Sequence, residues 1–214
     1  MSLARWKKRM SVRGAVAAAP DLALGGVYLL AWTGGAWPPV ALRYLFSLLL
    51  MEGVIINSAG FMSYVLIGGS TRSYRALSVL GIGAGFGLVA WRFGEPWLLI
   101  AFIMMTVNRM LGVLIGQSPS EGEKEFVVAS WLTALLLYAA TVFLTFAWGA
   151  PQLGAHPGQA VMEGLSRDSR WTAEPSGFLS CGYFYFTLLG LSELTDFAWV
   201  KLAVYRVASG VTKL

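Results

Sequence analysis

Run after run of this chain is apolar over lengths that suit a bilayer, and little charge interrupts those runs between residues 21 and 200. About 20 apolar residues in helical form cross a hydrocarbon layer roughly 30 Å thick. On that measure the sequence predicts six spans, at 21–37, 41–67, 74–91, 96–116, 126–148 and 178–200, the first extendable through Ala15 to Ala19 around Pro20. A soluble domain of this size covers its core with a charged shell, at about 25% charged residues. Here the charged fraction is 13% and the hydrophobic fraction 57%, so that shell is missing and lipid is the natural solvent. The expected fold is an all-α polytopic transmembrane helical bundle forming a single integral membrane domain over residues 1–214.

Basic residues in short loops stay on the cytoplasmic side, and an even number of spans puts both termini together. With cytoplasmic termini, Arg5, Lys7, Lys8, Arg9, Arg13, Arg72, Arg75, Lys124, Lys201, Arg206 and Lys213 fall inside. Only Arg92, Arg167 and Arg170 then fall outside. Both termini are therefore expected to be cytoplasmic. Residues 1–13 lack acids and place Leu3, Trp6 and Met10 at helical spacing, as in an amphipathic segment on an anionic leaflet. An organelle transit segment is the rival reading of that composition. The expected location is thus the inner (cytoplasmic) membrane, with an organelle membrane as the alternative. The net charge of +5 does not imply nucleic acid, because the remaining basic residues are spread thinly between apolar runs. The longest connection, residues 149–177, is expected to be an external loop.

Ionisable side chains at membrane depth are functional candidates by default, because placing one there costs about 3 kcal/mol or more. In this topology the second, fourth and sixth spans run in the same direction. At 1.5 Å per residue, Glu52, Arg109 and Glu193 lie roughly 17–22 Å below their span starts. All three reach one level, where Arg109, flanked by Asn108, is able to meet Glu52, Glu193 or both. The second span supports this with an arc of Glu52, Gly53, Asn57, Ala59, Gly60 and Ser63, expected to face the bundle. The cluster Glu52, Asn57, Asn108, Arg109 and Glu193 reads as a gate for ions or protons, a seat for a polar headgroup, or a structural clamp. Arg109 snorkelling to the surface would leave no cluster at all. Asp21, next to Pro20, reads as the acidic first turn of a helix.

Gly53 and Gly60 in the second span, and Gly81, Gly83, Gly85 and Gly87 in the third, read as close-packing positions for neighbouring helices. A dinucleotide loop would need a glycine where Phe86 stands, and a strand before it. The only histidine, His156, lies in the external loop, so a bis-histidine haem and a His-rich metal centre are excluded. His156, Glu163 and Asp168 make at most a weak external metal site, and no metal or cofactor is expected. No base accompanies Ser58 or Ser63, so no hydrolase and no enzymatic activity is expected. The lone Cys181 forms no intrachain disulfide. Trp32, Trp37, Trp91, Trp97, Trp148 and Trp199 lie near span ends, as interfacial anchors do.

Sparse intramembrane polarity, glycine-rich faces and little extramembrane mass point to a membrane-embedded subunit or assembly factor of a larger membrane complex. Its expected partners are the lipid bilayer and either other membrane protein subunits or further copies of itself. The alternative is a small ion or solute transporter or channel built on the Glu52, Arg109 and Glu193 group.

Overall fold

The computed structural model describes residues 12–34, 37–67, 72–92, 100, 121–154, 171, 174–195, 197 and 199–200. Every element among them is an α-helix: α1 (Val12–Thr33), α2 (Pro39–Ile67), α3 (Arg72–Arg92), α4 (Glu121–Trp148) and α5 (Pro175–Leu194). Among the described residues, three stretches are long and apolar enough to cross a membrane, Gly14–Thr33 in α1, Pro39–Ser58 in α2 and Val127–Trp148 in α4. Helix α3 occupies the third expected span and α5 the sixth. The fourth, residues 96–116, lies outside the described residues apart from Ile100.

The helix ends follow from local chemistry. Helix α1 begins nine residues earlier than residue 21, because the helix-forming run Ala15 to Ala19 carries it through Pro20. Proline there removes one backbone donor without ending the helix. At the other end, the Gly34 amide donates to the Leu30 carbonyl at 2.8 Å. Helix α2 opens on Pro39, where a missing N–H is harmless, and the Ala41 amide donates to Pro38 O at 2.9 Å. Helix α4 stops at Trp148 because Gly149 takes φ 73°, which glycine adopts without a Cβ clash, and Pro151 follows. Helix α5 ends in a tight turn in which the Phe197 amide donates to Ser192 O at 2.9 Å. Phe197 holds φ 55°, a left-handed conformation that costs a non-glycine residue roughly 1–2 kcal/mol. Its fully buried ring offsets that strain.

Contacts divide the chain into two compact units, Met1–Phe46 with Leu132–Leu214, and Ser47–Trp131. In the first unit α5 is the central element, with Phe178, Leu179, Cys181, Tyr185, Phe186 and Leu189 all buried. Its serines and tyrosines leave it outside the set of helices apolar enough to cross a membrane unaided, and burial against other helices removes that requirement. Helix α1 packs along it. A Cβ on Gly182 would strike the Tyr28 ring, one on Gly25 would lie 2.6 Å from Thr187 Oγ1, and one on Gly190 would lie 2.8 Å from Leu22 Cγ. Positions rising along α1 meet positions falling along α5, so the two helices are antiparallel. Tyr28 stacks on Phe186 at 5.5 Å and donates its hydroxyl to Leu45 O at 2.6 Å, tying α1 to α5 and to the start of α2. Phe46 packs edge-on against Phe178 at 5.3 Å, and Tyr138 of α4 against Tyr185 at 5.4 Å.

Helix α4 is turned opposite to a helix of a soluble protein. It buries Thr133, Thr141 and Thr145 and exposes Leu136, Phe143, Phe146 and Trp148. The threonine hydroxyls do not need water, since Thr141 donates to Leu137 O at 2.8 Å and Thr145 to Thr141 O at 2.7 Å. Small and hydroxylated residues at helix contacts, with large apolar residues outward, are the pattern of packing in lipid.

In the second unit Gly60 of α2 lies directly against the Trp131 ring, which leaves no room for a side chain there. Ser47, Leu49, Met51, Ile56 and Ser58 of this part of α2 are buried, while Asn57 is exposed and Glu52, Gly53 and Gly60 are half-buried. Of the expected inward arc, Gly60 is thus the member seen packed against another helix.

Candidate functional site

Asn108 and Arg109 lie outside the described residues, so the expected meeting of Arg109 with two carboxylates falls outside them too. Glu52 and Asn57 sit on α2 within the second unit. The Asn57 amide donates to Gly53 O at 2.7 Å, four residues back, so this hydrogen bond stays within its own helix. Of the glycines of α3, Gly83 is buried, Gly87 half-buried, and Gly81 and Gly85 open, with nothing within 4 Å of a Cβ added at either.

Glu193 lies in the last turn of α5, in the first unit, and the carboxyl that faces it is Asp21 of α1. The register that brings Gly190 to Leu22 and Gly25 to Thr187 carries the same antiparallel pair of helices on to Glu193 and Asp21. The two carboxyl groups are close enough to interact with one another. One oxygen of Glu193, Oε2, is wholly shielded from solvent.

Asp21 is the site residue that sequence reasoning placed wrongly. Its position next to Pro20 suggests the first turn of a helix, where an acid is commonplace. In the structure it is the tenth residue of α1, well inside the helix. The signal for this was the alanine run before Pro20, which supports helix on the N-terminal side of a proline that does not break it.

Cys181 is buried in α5 with its thiol against the Thr141 and Thr145 hydroxyls of α4. Among the described residues no three His, Cys, Asp or Glu side chains come together as metal ligands, and His156, Glu163 and Asp168 lie outside those residues.

No family model matches the chain, and no curated protein or solved structure is detectably similar to it. Its class rests on the helices themselves. The three apolar helices and the outward-facing large side chains of α4 make this an α-helical membrane protein.

Proposed function

We propose that the chain is a non-enzymatic, membrane-embedded subunit or assembly factor of a larger membrane complex. In this reading it crosses a cytoplasmic or other energy-transducing membrane six times, with both termini on the cytoplasmic side. The observation that carries the reading is the open glycine face of α3. Gly81 and Gly85 stand one turn apart with free space above both, and Leu77, Leu80 and Leu88 beside them are exposed. Small residues at this spacing let a second helix approach closely, and close approach is a main source of attraction between helices in lipid. The antiparallel course of α1 and α5 supports the even span count, because it sets the start of one beside the end of the other.

Native mass analysis after mild detergent extraction tests the proposal. The expected result is a species heavier than one chain plus lipid, which the double change Gly81→Leu with Gly85→Leu returns to the monomer. A monomeric wild-type protein refutes the reading.

One observation favours the alternative, a small ion or solute transporter, namely the facing carboxyl groups of Asp21 and Glu193 between α1 and α5. A transporter needs a water-accessible path to the polar part of α2. A cysteine at Asn57 then reacts with a small aqueous thiol reagent, and absence of reaction counts against transport. The native Cys181 is buried and gives little background.

A further inference from the structure

Helix α3 presents one continuous exposed seam. Tyr74, Leu77, Gly81, Ala84, Leu88 and Trp91 are all exposed, and they follow one another at alternating intervals of three and four residues. That spacing repeats every seven residues, the period at which one helix keeps a single face against another. From Tyr74 to Trp91 the seam rises about 25 Å at 1.5 Å per residue, most of the roughly 30 Å hydrocarbon layer. None of its six side chains is charged.

The middle of the seam is hollow, and the chain leaves the hollow open. Nothing lies within 4 Å of a Cβ added at Gly81 or at Gly85 beside it. Glycine weakens a helix relative to alanine, so room of this kind has a use where another backbone comes close. Lipid needs no such room: α4 exposes Leu136, Phe143, Phe146 and Trp148, all large. At the two ends of the α3 seam the side chains are large instead, Tyr74 and Leu77 before the hollow and Leu88 and Trp91 after it. A second helix lying along the seam comes closest at Gly81 and Ala84, and the large side chains close the gap where the axes draw apart.

What covers the seam follows from insertion and area. Copies of one chain enter a membrane in the same sense, so a second copy brings its own α3 parallel and at the same depth. Pairing about a two-fold axis then sets each seam residue against itself. Gly81 meets Gly81, Ala84 meets Ala84, and the large ends meet large ends. A foreign helix fits only if it carries small residues at that depth, whereas a second copy carries them by identity. Tyr74, Leu77, Leu88 and Trp91 are 62%, 70%, 63% and 68% exposed. Together they leave roughly 500 Å² of mainly apolar surface open on each chain. Pairing therefore removes about 1,000 Å² over two copies, the size that a specific interface needs.

We infer that the α3 seam is the interface between two parallel copies of this chain. The inference rests on the proposed role of α3 as a docking face and names its partner. Cysteines placed one at a time in the full-length protein test it, in membranes of the expressing cells treated with copper phenanthroline and read by non-reducing electrophoresis. Two cysteines on a two-fold seam face one another within disulfide reach, and a pair off the seam does not. Ala84→Cys and Leu88→Cys are expected to shift the band from one chain to two, and because both positions are exposed neither change disturbs the core. Leu80→Cys, exposed but one position off the seam, is expected to stay at one chain, as is the wild type with its buried Cys181. A native mass of two chains, with no crosslink at Ala84→Cys or Leu88→Cys, means that the copies meet through another face and overturns the inference. A heavier species whose mass is no multiple of one chain, again without crosslinks, also overturns it but leaves the subunit reading standing. A monomer overturns both. Crosslinking of Leu80→Cys as strong as that of Ala84→Cys marks random collision rather than a seam and refutes the inference too.

Discussion

Replacing Gly182 by alanine adds one methyl group at the closest approach of α1 and α5, and the structure sets the cost. The added Cβ would strike the Tyr28 ring. A flexible side chain would swing aside, but Tyr28 is held from two directions. Its hydroxyl donates to Leu45 O at 2.6 Å, and its ring stacks on Phe186 at 5.5 Å. Moving the ring gives up a buried hydrogen bond, about 1 kcal/mol net, and an aromatic contact, about 1 kcal/mol. Moving the helices apart instead loosens the Gly25 and Gly190 contacts along the same seam. Overpacking of this kind costs about 1–3 kcal/mol, and with both escapes blocked we expect about 3 kcal/mol. The control is Gly26→Ala in α1, where nothing lies within 4 Å of the new Cβ. Alanine's helix preference then stabilises by up to about 1 kcal/mol. The assay is reversible SDS unfolding in mixed micelles, followed by circular dichroism. If Gly182→Ala unfolds at the wild-type midpoint, Tyr28 is not clamped as described and the argument for a tight α1 and α5 seam is wrong.

Three further outcomes are expected. Asp21→Asn and Glu193→Gln in a double-mutant cycle should show a coupling of about 1 kcal/mol or more in the same unfolding assay, and simple additivity would mean that the two carboxyls do not interact. Cys181 should resist alkylation by a maleimide in folded micelles and react quickly after SDS unfolding, whereas immediate labelling of the folded protein contradicts its burial in α5. Trp32→Phe removes the 2.9 Å bond to Pro151 O and should speed proteolytic cleavage after residue 149, with an unchanged cleavage rate showing that this contact does not hold the connection in place.

Much of the architecture was legible in the sequence, because a bilayer imposes a length on each apolar run. Helices α2, α3 and α4 lie close to spans read from hydropathy alone. Pro39, Gly149 and Pro175 mark helix ends through rules that act on neighbouring residues. The start of α1 was less legible, since a proline inside a helix is tolerated or not according to the residues before it. Asn57 illustrates a further limit. An amide on a helix can bond across a contact or back to its own carbonyl ladder, and spacing does not choose between them.

What the sequence determined by itself was the solvent of this protein, because the scarcity of charge and the length of the apolar runs are properties of the chain before it folds. It also determined most helix boundaries, since capping and proline effects reach only a few residues. Which helix lies at the centre was decided only by tertiary structure. The modest apolarity of α5 would make it a poor lipid-facing span, and burial against α1, α2 and α4 removes that demand. Tertiary structure likewise brought Asp21 to Glu193. The two are 172 positions apart in the chain, and only the antiparallel register set by Gly182, Gly190 and Gly25 places their carboxyls together.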